Sequence, residues 1–157
     1  MTEKNMIPEP EILDSEECWK LLRQTGIGRL GVVLDGRPEI FPVNFKVEDD
    51  SSVVFQTGSG TKTEAMDITP TVVLEADAVS AEFGIAWSVV VKGNATRMDA
   101  NEPALAQVRK ALFPWQGVDK EELFRIVPES VTGRRFTVTE HMKWRSSLDE
   151  ASRAGLE

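Results

Sequence analysis

Hydrophobic and polar positions repeat with two periods along this chain, and the change from one to the other marks out the elements. Behind Asp14, the residues Cys18, Trp19, Leu21 and Leu22 recur at helical spacing. Asp14 is a suitable N-cap, and Glu16 and Glu17 suit the positive end of a helix dipole. Gly26 is the expected stop. Beyond it the period falls to two. Phe41, Val43, Phe45 and Val47 alternate with Ile40, Pro42, Asn44 and Lys46, which predicts a strand over 39–47. Asp35-Gly36 predicts a hairpin joining it to a strand over 30–34.

Further strands are expected over 53–56, 71–76, 86–96, 123–127 and 135–138, with a polar connection over 77–84. Pro42 cannot donate to a sheet ladder, so its strand should have an edge or a bulge there. A short helix fits Thr63-Glu64-Ala65-Met66. A longer one starts at Asn101-Glu102-Pro103, buries Leu105, Val108 and Leu112, and ends at Phe113-Pro114-Trp115. Many short strands, tight turns and few helices predict a β-barrel or sandwich, with helices covering its open parts. Residues 1–13 form an expected extended arm, 14–140 a single domain, and 141–157 a mobile tail.

Composition narrows the functional classes. The chain has 157 residues, enough for one domain, and 18 Lys and Arg against 26 Asp and Glu give a net charge of −8. Such a surface repels nucleic acid and anionic lipid. No apolar run approaches the ~20 residues that span a bilayer, and the N-terminus has no secretory pattern, so the expected location is cytoplasmic. A single cysteine, Cys18, excludes an intramolecular disulfide and reads as a small buried hydrophobe on the helix stripe.

Side-chain chemistry is sparse. The one histidine, His141, lies in the weak C-terminal region, and no nucleophile elbow surrounds a serine. No His/Cys metal set is present. The G-x-G-x-x-G run from Gly26 to Gly31 is rejected as a dinucleotide fingerprint, because a helix precedes it and a strand follows. Any chemistry therefore belongs to a cofactor. Thr57-Gly58-Ser59-Gly60-Thr61-Lys62 is a candidate anion seat, with two glycines, three hydroxyls and an ammonium. It is not a Walker A loop, and on spacing alone an ordinary polar loop with a solvated lysine remains open.

These stretches, in their order, carry a resemblance. The leading helix, Gly28-Arg29-Leu30, Asp35-Gly36, Pro42-Val43-Asn44-Phe45, the Thr57–Lys62 loop, Trp87-Ser88-Val89-Val90-Val91-Lys92-Gly93 and Thr132-Gly133-Arg134-Arg135-Phe136 resemble the pyridoxamine 5′-phosphate oxidase-like family, nitroimidazole-resistance-type members included. The resemblance covers about Ile12 to Val138 and implies a mainly β fold, a six- to seven-stranded antiparallel split β-barrel with a few flanking helices.

It further implies a homodimer with FMN at the subunit interface, a small-molecule substrate, and hydride transfer through the flavin. Phe41, Pro42, Val43 and Asn44 would line the flavin, while Gln56, Thr57, Thr61 and Lys62 would hold its ribityl chain and phosphate. Ser88 would contact the ring, and Trp87 would either stack on it or fill the core. Trp115 and Arg134 would either reach the partner's cofactor or serve as packing and surface charge. Pyridoxamine 5′-phosphate oxidases proper carry a basic residue at Phe41 and an Arg-Lys pair at Thr61-Lys62, and have a C-terminal Arg/His substrate site that this chain lacks. Those departures argue against pyridoxamine phosphate as substrate. The alternatives are a non-catalytic flavin-binding or sensing dimer and a deazaflavin-dependent reductase; haem would need an axial ligand that His141 supplies poorly.

Overall fold

Alternation of apolar and polar residues becomes, in the computed structural model, a sheet that closes on itself. Residues 9–58, 60–80, 82–99, 101–103, 112 and 121–138 are described. They form β1 (Glu11–Leu13), α1 (Ser15–Arg23), β2 (Ile27–Leu34), β3 (Arg37–Val47), β4 (Val53–Gly58), α2 (Thr61–Ile68), β5 (Thr71–Ser80), β6 (Ile85–Arg97) and β7 (Glu121–Thr137). Every pairing is antiparallel, in the order β1-β7-β4-β3-β2-β5-β6. Because β6 also pairs with β7, six strands close into a ring and β1 adds to its side. The fold is a mainly β barrel. Closure removes most of the free strand edges that would otherwise template aggregation.

The inward positions of each strand make one core. Phe55 and Phe124, from the neighbouring strands β4 and β7, stack with ring centroids 5.7 Å apart. Leu30, Leu74, Val89, Val91 and Ile126 are fully buried around them. The α1 stripe of Cys18, Trp19, Leu21 and Leu22 packs into the same cluster. Asp14 caps that helix by accepting from the Glu17 N–H at 2.9 Å. The helix ends at Arg23 with Gln24 as its C-cap, before Gly26. Burial pushes the Cys18 thiol up, with Asp14 and Glu17 adding to the shift, so it remains an inert protonated core group. Among the described residues, no helix is long and apolar enough to cross a membrane.

Several boundaries differ from the sequence expectation, three of them in ways that matter for the sheet. The arm contains a short strand, since Glu11–Leu13 pairs with Gly133–Arg135. The fourth expected strand continues to Ser80, so Asp77 is a strand residue and no longer part of a connection. The two C-terminal strands are one, β7. Pro128 interrupts the pattern but not the strand, because it sits where the β6 register shifts between Lys92 and Gly93. There β7 pairs on one side only, and a missing N–H costs no ladder bond. The helix expected after β6 and the C-terminal tail lie outside the described residues, apart from the turn at 101–103 and Leu112, which is buried against Val54 and Leu123.

Candidate flavin site

The site begins where β3 and β4 part. Their pairing runs from Val47↔Val53 to Asn44↔Gln56 and stops there. The Phe45 N–H donates to the Gly26 carbonyl at 3.0 Å, on the β2 side. Strand alternation then turns the polar backbone groups of Asn44 and Pro42 toward β4. Asn44 meets Gln56, whereas the Pro42 carbonyl faces the split with no strand partner on that side. Pro42 therefore marks an unpaired edge, as its missing N–H predicted, and no bulge is present there.

Side chains along this edge divide by parity. Phe41 and Val43 point into the core at 8% and 2% exposure, whereas Pro42 is exposed and Asn44 half-buried on the outer surface. The four residues expected to line the flavin thus do not share one face. Pro42 and Asn44 offer side chains to the outside; the Val43 side chain lies in the core and its backbone groups face β2. Gln56 lies beside Asn44, and its Oε1 is buried with no hydrogen-bond partner among the described residues. A buried amide oxygen left alone costs about 1–3 kcal/mol, so a donor from a bound molecule is what this position lacks. The ribityl hydroxyls and ring N–H of a flavin are such donors, and the residues present fit that group.

The loop after β4 supplies the anion end. Gly60 has φ 154° and ψ −157°, a region open to glycine alone. This bend lets α2 begin at Thr61 directly after the strand. The buried Thr63 hydroxyl accepts from the Gly60 N–H at 3.2 Å and donates to the Gly60 carbonyl at 2.7 Å. Gly60 has no side chain, so the cap at this turn comes from the Thr63 hydroxyl, with the Thr63 and Glu64 N–H groups also donating to the Gly60 carbonyl at 3.1 and 3.2 Å. The Gly60 amide is therefore spent, and the first-turn N–H groups of Thr61 and Lys62 are the ones helix geometry leaves open. Thr57 is half-buried beside Glu122 on β7. Ser59 and the Thr61 side chain lie outside what is described. Lys62 is exposed, with its ammonium 4.1 Å above the centroid of the Phe41 ring.

A second group sits elsewhere on the ring. Ser88 on β6 pairs with Arg134 on β7 and with Asp77 on β5, all facing outward. Trp87 points the other way and packs, partly buried, against the core. Trp115 lies outside the described residues. In the ring order β7-β4-β3-β2-β5-β6, two strands separate β3 from β6 in either direction. At about 4.8 Å per strand, Pro42 and the β6 row are ~14 Å apart along a surface that curves away. Between them Arg29 bridges Glu75 at 2.8 Å and Asp77 at 3.1 Å. Burial pushes the Glu75 carboxyl up despite that guanidinium.

Against known proteins, the model of the family described as pyridoxamine 5′-phosphate oxidase matches residues 14–135. The chain belongs to that family. Among solved structures it is similar to a FAD-binding protein of Mycobacterium smegmatis, with 39% identity and a TM-score of 0.66 over 80% of this chain and 99% of that one. It is also similar to a FAD-binding protein of Mesorhizobium loti, with 25% identity and a TM-score of 0.70 over 83% and 100%. An uncharacterized protein of Mycobacterium tuberculosis is 33% identical over 128 residues, 78% of this chain and 83% of its own length.

Within the pyridoxamine 5′-phosphate oxidase family, then, this member has an outer β3 edge, an orphaned glutamine oxygen and a lysine on an aromatic ring. Sequence reading missed Asp77 and the Arg29 cluster on the surface between the two groups. The signal was present: alternation through Thr71–Ala76 continues in Asp77, Ala78, Val79 and Ser80, with small residues inward where larger ones mark the rest of the strand.

Proposed function

We propose that this protein is a homodimeric flavin-dependent oxidoreductase whose cofactor is FMN, bound between subunits. One subunit supplies the β3 edge, Gln56 and the Lys62 loop; its partner supplies Ser88 and Arg134. The observation that carries the reading is the position of β3 and β6 on opposite sides of the ring. Outward side chains on opposed strands of one chain point away from each other, which supports a common site completed by a second copy. Exposed Ile27 and Ile40, at 53% and 73%, lie on the outer face of the β2–β3 hairpin and give that copy apolar surface to cover.

Each residue then has a task. Asn44 and Gln56 fix the flavin edge and ribityl chain through hydrogen bonds, and Pro42 shapes the unpaired edge without competing as a donor. Lys62 and the first-turn amides of α2 compensate the phosphate. Bound flavin supplies hydride or electron transfer to or from a small organic substrate. The side chains around it position the partners and exclude water, because the described site contains no histidine, and its cysteine is buried in the core.

A second reading, FAD in place of FMN, is favoured by the names of two similar structures. Titration with FMN and with FAD, followed by reduction with NADPH or NADH and reoxidation, tests the whole reading. Tight binding of one flavin and turnover are expected. Failure of both flavins to bind overturns it; binding without turnover leaves a flavin-carrying dimer.

A further inference from the structure

We propose that Phe41 is a positioning residue: its ring holds the Lys62 ammonium over the phosphate seat without neutralising it. The inference rests on the reading of Lys62 as the phosphate's counter-charge. The geometry is a tertiary one, linking β3 to the first turn of α2. Phe41 is anchored among core residues at 8% exposure, so its ring plane is fixed, whereas lysine has four freely rotating carbons and is exposed. The 4.1 Å approach of the ammonium to the ring centroid is within cation–π range.

The choice of partner matters for what the cation can do. A carboxylate would orient Lys62 equally well but would cancel its field. Among the described residues no carboxylate forms an ion pair with Lys62, whereas Arg29, Arg97, Arg125 and Arg135 are each paired with two acids. A neutral aromatic face fixes direction and leaves the charge available. It also replaces what a second cation would do at this position, by placing one cation well instead of adding another.

The test uses the full-length protein and two probes, FMN and riboflavin, which differ by the phosphate. Phe41→Leu keeps apolar bulk and removes the ring face. It should weaken FMN by about 2- to 5-fold relative to riboflavin, the scale of an exposed cation–π contact. The ratio should return in Phe41→Tyr, and the Phe41→Leu effect should vanish when Lys62 is already alanine. Replacing Phe41 by trifluorophenylalanine, which drains the ring face at constant shape, should act as Phe41→Leu does and covers the case in which leucine disturbs folding. Equal weakening of both flavins, or an effect that persists without Lys62, overturns the proposal. If Lys62→Ala shifts the FMN-to-riboflavin ratio and Phe41→Leu does not, Phe41 positioning alone falls. If Lys62→Ala leaves the ratio unchanged, the phosphate reading falls and takes this proposal with it.

Discussion

Two cations on this barrel are held in opposite ways. Arg125, on β7, donates from Nε to Glu48 at 3.0 Å and from Nη2 to Glu48 at 3.2 Å and pairs with Glu102 at 2.7 Å. Its side chain is 24% exposed, and hydrogen bonds to Glu48 and then Glu102 drive its pKa further up. Lys62 instead rests on an aromatic ring and faces water. The first arrangement spends a charge on joining β7 to the turns after β3 and after β6. The second fixes a charge without cancelling it, and under the proposed function that charge is the one left for the phosphate.

That contrast can be broken in order of size. Arg125→Leu leaves two half-buried carboxylates uncompensated and should cost about 3 kcal/mol of stability, read from the denaturant midpoint, with flavin affinity of the folded protein unchanged. Lys62→Ala should behave in reverse. Its stability should match the parent, while FMN affinity falls by about 10- to 150-fold, the range of a charge-assisted hydrogen bond. A Lys62 variant that unfolds the protein, or an Arg125 variant that releases flavin from folded protein, would invert the comparison. Arg29→Ala gives the smallest effect. Arg29 is 55% exposed and its two acids are partly solvated, so its loss should change stability by only about 0–1 kcal/mol in the same denaturation assay.

The residues that made the fold legible are those whose signal is local. Asp35 and Gly36 both have positive φ, at 51° and 74°, as the hairpin turn demands, and the Asp14 cap with its apolar stripe gave α1. The β3 alternation and its unpaired proline were equally readable, because period and donor count belong to single residues. What escaped depends on partners. The three residues of β1 carry no periodicity of their own and are a strand only because β7 lies beside them. Pro128 looks like a break until the one-sided pairing of β7 at that point is known.

Site residues follow the same division. The Thr57–Lys62 loop was visible as composition, yet which hydroxyl is consumed depends on Thr63 folding back on Gly60. The family resemblance groups Phe41 with Pro42, Val43 and Asn44, whereas strand parity sends the Phe41 side chain inward, where it meets Lys62. The separation of Ser88 from Asn44 needs the strand order, and no local pattern encodes that order.

Under the proposed function each flavin is held by Lys62 of one subunit and Ser88 of the other. Mixed dimers test it directly, formed from one Lys62→Ala chain and one Ser88→Trp chain, with each parent variant measured as a homodimer. If the site is shared, both lesions fall on one site and the other is intact, so the mixed dimer binds one FMN with parental affinity while neither homodimer does. A mixed dimer in which no site has parental affinity would show that Lys62 and Ser88 act within the same chain or at different places, and would contradict the claim.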